Sequence, residues 1–164
     1  MKNFLKIFSF LPALAMMYLI FSMSAQDGMS SASLSIKVAE KAVVIYDKVF
    51  DANLSDEQLV HYAQVIHTPI RKLGHMTEYF LLAITVSFPL YVYGMRGIWL
   101  MFFAGVICVG FACGDEYHQS FVAGRGPSKR DVLIDSIGVF FGIMIVRIVC
   151  WCAIQAAKNR SRSD

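Results

Sequence analysis

Four apolar runs constrain this chain more than any other feature of it. They cover about residues 4–23, 73–93, 98–114 and 132–154. Each approaches the length of helix needed to cross a hydrocarbon core of about 30 Å. A water-soluble core cannot absorb that much apolar surface in 164 residues, of which 57% are hydrophobic and only 16% charged. A soluble domain has about a quarter charged. The mean hydropathy of +0.55 points the same way. Disordered, collagen-like and disulfide-scaffold classes are excluded. The expected fold class is all-α: one integral membrane domain, a bundle of four transmembrane helices. Cys108, Cys113, Cys150 and Cys152 all lie in apolar runs without paired metal-ligand spacing, so they read as small hydrophobes.

The first run, Phe4 to Met23, has a basic start at Lys2 and Lys6 and small residues at Ser22 to Ala25. A cleaved signal peptide shares those features, but the run is longer than a typical signal core, so a retained helix is expected. The second run is predicted to begin with Thr68 as cap and Pro69 at the first helical position. The third is short and should extend into the polar residues after Gly114, and Gly94 to Gly97 should form the tight turn before it. Ser128 and Asp131 have capping-box spacing at the start of the fourth. Between the first and second runs, residues 34–50 and 55–66 have amphipathic helical spacing. Ser55 and Gln58 form a second capping box there. Short amphipathic helices packed over the bundle or lying on the membrane are expected.

Lys2, Lys6, Arg96, Lys158, Arg160 and Arg162 flank the runs on one side. The positive-inside rule makes that side cytoplasmic, with both termini there. Residues 24–72 and 115–130 are then outer segments. Arg125, Lys129 and Arg130 in the second of these oppose the rule.

Polar residues gather at that outer end. Arg71, His75 and Glu78 share one helix face, with Lys72 and Tyr79 beside it. Asp115 lines up with His118 and Gln119, and Glu116 with Gln119. Asp131 and Asp135 share a face with Gly138 and Gly142, whose spacing lets membrane helices approach closely. A charge in the hydrocarbon centre costs about 2.5–3.5 kcal/mol. Glu78 and Asp135 should therefore face the bundle and pair with Arg71, Lys72, Arg125, Lys129, Arg130 or the histidines. The cluster reads as an outward-facing pocket or as an ion-pair network that fixes helix register.

His75-x-x-Glu78 with Asp115-Glu116-x-His118 could offer nitrogen and oxygen ligands, but such residues near helix ends ordinarily pair with arginines, so no metal is expected. His61 and His67 read as surface residues. Ser120 does not face His118 on a helix, and neither a nucleophile elbow nor a phosphate loop occurs. No cofactor and no nucleic-acid partner is expected.

The stretch Asp115-Glu116-Tyr117-His118-Gln119-Ser120-Phe121 through Arg125-Gly126, followed by Asp131-Val132-Leu133-Ile134-Asp135-Ser136-Ile137-Gly138, resembles the signature of the VanZ-like family. That signature has an acidic pair, a histidine-glutamine, an aromatic, an arginine, and an aspartate four residues before Asn or Asp. Asp135 stands where asparagine is common. Phe21-Ser22 with Gln26 resembles the family's first-helix exit, and Arg71-Lys72-x-x-His75-x-x-Glu78-Tyr79 its second-helix entrance. The likeness covers most of residues 20–142. It implies a small multi-span bacterial membrane protein. The namesake is associated with low-level resistance to teicoplanin, which acts on cell-wall precursors outside the membrane. Three readings follow. One is a binding protein for an anionic envelope component (a cell-wall precursor lipid or a phospholipid head group), with Arg71, Lys72, Arg125 and Arg130 as anion ligands. The second is an enzyme acting on a lipid-linked phosphate. The third is a structural protein whose charges only fix packing.

Overall fold

A computed structural model of the chain describes residues 6–126 and 128–163, and the side chains at all of these but 157 and 161–163. Lys2, Phe4 and the Arg162 side chain lie outside what it describes. The fold is all-α. A 3-10 turn, Phe8–Phe10, leads into α1 (Leu11–Ser24). Then follow α2 (Gly28–Phe50), α3 (Asp56–Val92), α4 (Gly97–Gln119) and α5 (Lys129–Ser163).

After Ser24 the chain turns by 104° into α2. Asp27 starts α2 by accepting the Ser30 amide N–H at 2.7 Å, and the Ser30 bonds hold its carboxyl below the ordinary value. The expected short helices between the first and second runs are corrected here. α2 has 23 residues, and the second segment is no separate helix but the first half of α3. The Ser55–Gln58 capping box forms, with bonds of 2.9 and 3.3 Å. The helix it opens then continues for 37 residues. Thr68 is therefore no cap, and Pro69 lies in a helix interior. An interior proline costs about 3 kcal/mol. It is tolerated because the apolar positions on either side of it stay in one register. Ala63, Ile66 and Ile70 pack with Ala39 and Val43 of α2. The two helices form a hairpin closed by residues 51–55, where Asp47 Oδ1 accepts the Leu54 N–H at 2.9 Å.

The second half of α3 is the hub. Its Tyr79, Leu82, Ala83 and Val86 are buried among Ile20 of α1, Leu100 and Cys108 of α4, and Val139 of α5. Gly138 and Gly142 bring α5 onto α3, as their spacing predicts. A Cβ at Gly138 would lie 2.2 Å from the Met76 carbonyl oxygen, and one at Gly142 2.5 Å from that of Phe80.

Among the described residues, α4 and α5 are each long and apolar enough to cross a membrane, with mean hydropathies of 2.1 and 2.4 over their best windows. Only 22% and 28% of those windows is buried. Trp99, Phe102 and Val106 on α4, and Ile137, Phe140 and Phe141 on α5, face outward. So broad an apolar surface needs lipid around it. The bent pair of α1 and α2 makes a third candidate if it is one broken span. Two or three spans thus qualify by length and composition, where the sequence predicted four. α3 is not among them, because His75, Glu78, Thr85, Ser87 and Pro89 interrupt its apolar half. α4 does run on through the polar residues to Gln119, and the turn before it uses left-handed φ values at Gly94 (102°) and Gly97 (58°).

Candidate functional site

The end of α1, the middle of α3, the end of α4 and the start of α5 meet on one side of the bundle. Two kinds of polar contact occur there. The first kind holds helices together. Asp115, 4% exposed, accepts the Ser24 hydroxyl at 2.7 Å and the Gln119 side-chain amide at 2.9 Å. This ties α1 to α4. Glu116 Oε2 accepts the Ser128 backbone N–H at 2.7 Å, placing an anion at the N-terminus of α5, where the helix dipole favours it. Lys72 Nζ reaches Asp131 Oδ1 at 3.0 Å and so links α3 to α5. That pair is about a third exposed, and such pairs contribute at most about 1 kcal/mol.

The second kind surrounds a chamber of about 100 Å³ between α3, α5 and the loop 120–126. A chamber of that size can admit a phosphate or carboxylate group. Arg71 and His75 enter it from α3, Arg125 from the loop, and Asp135 from α5. These side chains keep polar capacity in reserve. Asp135 is 5% exposed and its Oδ1 has no hydrogen-bond partner. Arg125 Nε is likewise buried without one, while its Nη2 reaches the Met23 carbonyl only at 3.5 Å. Burial, reinforced by the like charge of Arg71, holds the Arg125 guanidinium below its ordinary value, although it stays protonated at any working pH. His75 Nδ1 lies 3.4 Å from Glu78 Oε2, a charge contact without hydrogen-bond geometry.

Backbone packing sets the position of Arg125. The Gly28 N–H donates to the Ala123 carbonyl at 3.0 Å. A Cβ on Gly28 would lie 2.2 Å from the Gly124 oxygen, and Gly124 itself has φ +74°. The first turn of α2 therefore clamps the loop and holds Arg125 over the chamber.

A second cavity, of about 200 Å³, adjoins the first and shares Arg71, His75 and Arg125 with it. Met23, Leu34, Val38 and Ile70 give it apolar walls. Arginine suits planar oxyanions because its fork can bond two oxygens at once. The paired cavities thus offer a charged compartment continuous with an apolar one.

The predicted site residues divide accordingly. Arg71, Lys72, His75, Glu116, Gln119, Arg125, Asp131 and Asp135 all line the chamber, and Glu78 lines the adjoining cavity. Asp115 and Tyr79 are buried beneath. The Tyr79 hydroxyl sits in the field of Asp115, Asp135 and Glu78, and its ring is 6.3 Å from that of Phe111. His118 turns elsewhere, with its ring 4.4 Å from Phe21 of α1. Lys129 and Arg130 are exposed. His61 is exposed as expected, but His67 is half-buried with Nδ1 enclosed. Among the described residues no group of three or more His, Cys, Asp and Glu gathers as a metal ion would require. Sequence reasoning missed Ser24 and the Gly28–Gly124 contact. Neither belongs to a local pattern, and a small polar residue at the end of an apolar run is too common to signal anything.

A family model described as VanZ/LLP1 matches residues 9–150. No curated protein and no solved structure matches the chain.

Proposed function

The chain belongs to the VanZ/LLP1 family, and from that membership we propose that it is a multi-pass cell-membrane protein binding the anionic head group of an envelope lipid at its outer face. The lipid is a cell-wall precursor or a phospholipid. The chain crosses the membrane four times, with both termini cytoplasmic. The observation that carries this reading is the junction of the two cavities at Arg71, His75 and Arg125. A phosphate would take the cationic chamber, and the first part of its hydrocarbon chain the apolar cavity. The unpartnered Arg125 Nε fits a chamber built for a further oxyanion.

The test is thermal unfolding in phosphatidylcholine nanodiscs, with and without undecaprenyl phosphate. Wild type should be stabilised, and Arg71→Gln and Arg125→Gln should lose the response. Asp115→Asn should melt lower yet keep it. Equal responses in wild type and both arginine variants would sink the proposal. A role in teicoplanin tolerance follows only if the same arginine variants abolish it in cells.

A second reading, hydrolysis or transfer at a lipid-linked phosphate, is favoured by the His75–Glu78 contact beside two arginines. Histidine held by a carboxylate is the usual general base. It predicts phosphate release lost in His75→Gln while undecaprenyl phosphate binding persists.

A further inference from the structure

At the opposite end of the bundle the charges among the described residues have one sign. No Asp or Glu occurs before residue 27, between 79 and 114, or between 136 and 163. Those stretches hold Lys6, Arg96, Arg147, Lys158 and Arg160. Two of these cations, Arg96 and Arg147, line a cavity of about 400 Å³ between α3, α4 and α5. Its remaining wall is largely apolar and aromatic, with Tyr91, Leu100, Ile148 and Trp151. Among the described residues no carboxylate lines it.

Arg147 is the less expected of the two. It is half-buried inside the apolar run of α5. The hydrogen bonds described for it go to the sulfurs of Met101 and Met144, the latter at 4.0 Å. Thioethers are weak acceptors. An ionisable residue held within a membrane helix ordinarily has a strong partner or a function. Arg96 is fixed at the cavity mouth, its guanidinium 3.4 Å from the Tyr91 ring centroid and donating to the Met95 carbonyl at 2.8 Å. Ile148 and Trp151 are 55% and 62% exposed, so the apolar wall opens sideways toward lipid. The site thus combines two guanidinium groups, no competing acid and a lateral apolar entrance.

We propose that this cavity binds the phosphodiester of an anionic glycerophospholipid from the leaflet at this face. Arg147 and Arg96 hold the phosphate, and an acyl chain lies along Ile148 and Trp151. The positive charge at this end makes that leaflet the cytoplasmic one, whose anionic lipids attract juxtamembrane cations. The inference is independent of the outer chamber.

The experiment compares unfolding of the full chain in nanodiscs of phosphatidylcholine alone and of phosphatidylcholine with phosphatidylglycerol. Wild type should melt about 2–4 °C higher with phosphatidylglycerol, the scale that modest binding produces in a chain of this size. In an Arg71→Gln background, which silences the outer chamber, the difference should persist, and adding Arg147→Met or Arg96→Gln should abolish it. Arg147→Met removes a charge from an apolar helix, so it should insert and fold at least as readily as wild type. An undiminished phosphatidylglycerol shift in both double variants overturns the site. The same shift given by inorganic phosphate in phosphatidylcholine nanodiscs overturns the lipid as its ligand. Loss of the shift in Arg71→Gln would assign it to the outer chamber instead.

Discussion

Ser24 and Asp115 meet from helices far apart in the chain, and Ser24 is fully buried. Removing the hydroxyl leaves a buried carboxylate short of a donor, which costs about 1–3 kcal/mol. Ser24→Ala should therefore melt lower in detergent, while its response to undecaprenyl phosphate persists because Ser24 does not line the chamber. Gly28 makes a different kind of contact. A Cβ there collides with the backbone of Gly124, not with a side chain that could move aside. Gly28→Ala should cost about 1–3 kcal/mol and also weaken ligand binding, since the loop it displaces carries Arg125. Comparing melting with ligand titration separates the two effects; a stable Gly28→Ala with full affinity would refute the clamp. At this scale the sequence was readable only where partners lie one turn apart. Asp115 with Gln119 was predictable from spacing, and the bond exists. Ser24 with Asp115 depends on how two helices pack, which no local pattern encodes.

Helix boundaries followed a similar division. The extension of α4 past Gly114 and the Ser55–Gln58 capping box were legible, because a span must reach a minimum length and a capping box is a local motif, although the helix that box opens was expected to be short. Pro69 misled, because proline is as acceptable to a first turn as it is costly in an interior, and only packing on α2 decides between them. This has a measurable consequence. Were Pro69 the start of a separate helix, replacing it would be neutral or harmful. Inside α3 it withholds a hydrogen bond, so Pro69→Ala should raise stability, by up to about 3 kcal/mol relative to proline. Gly138 makes the opposite case. Its spacing to Gly142 was visible, and its Cβ would press on the Met76 carbonyl. Gly138→Ala should push α5 from α3 and lower stability by about 1–3 kcal/mol, and both changes are read by thermal unfolding in one detergent.

For the whole molecule, the number of crossings depends on α1. At 1.5 Å per residue, the 37 residues of α3 extend about 55 Å, well beyond a hydrocarbon core of about 30 Å. On the proposed four-span reading its first half with α2 lies outside the core, on the side of the chamber. α1 then either crosses to reach that side or enters and returns. Its 14 residues are few for a full span, yet the turn before it and residue 6 lie near the far end, where Phe10 and Lys6 are 5.8 and 5.7 Å from the Tyr93 ring. That contact agrees with the crossing proposed for α1, since it sets residue 6 at the end of the bundle away from the chamber. Single cysteines in a background freed of the four native ones decide the matter. Gln64→Cys should react with an impermeant maleimide on intact cells. Lys6→Cys and Asn159→Cys should react only after permeabilisation. Labelling of Lys6→Cys from outside, with Asn159→Cys still protected, would make α1 re-entrant and leave three spans. The outer chamber would survive that outcome, because none of the side chains lining it comes from α1.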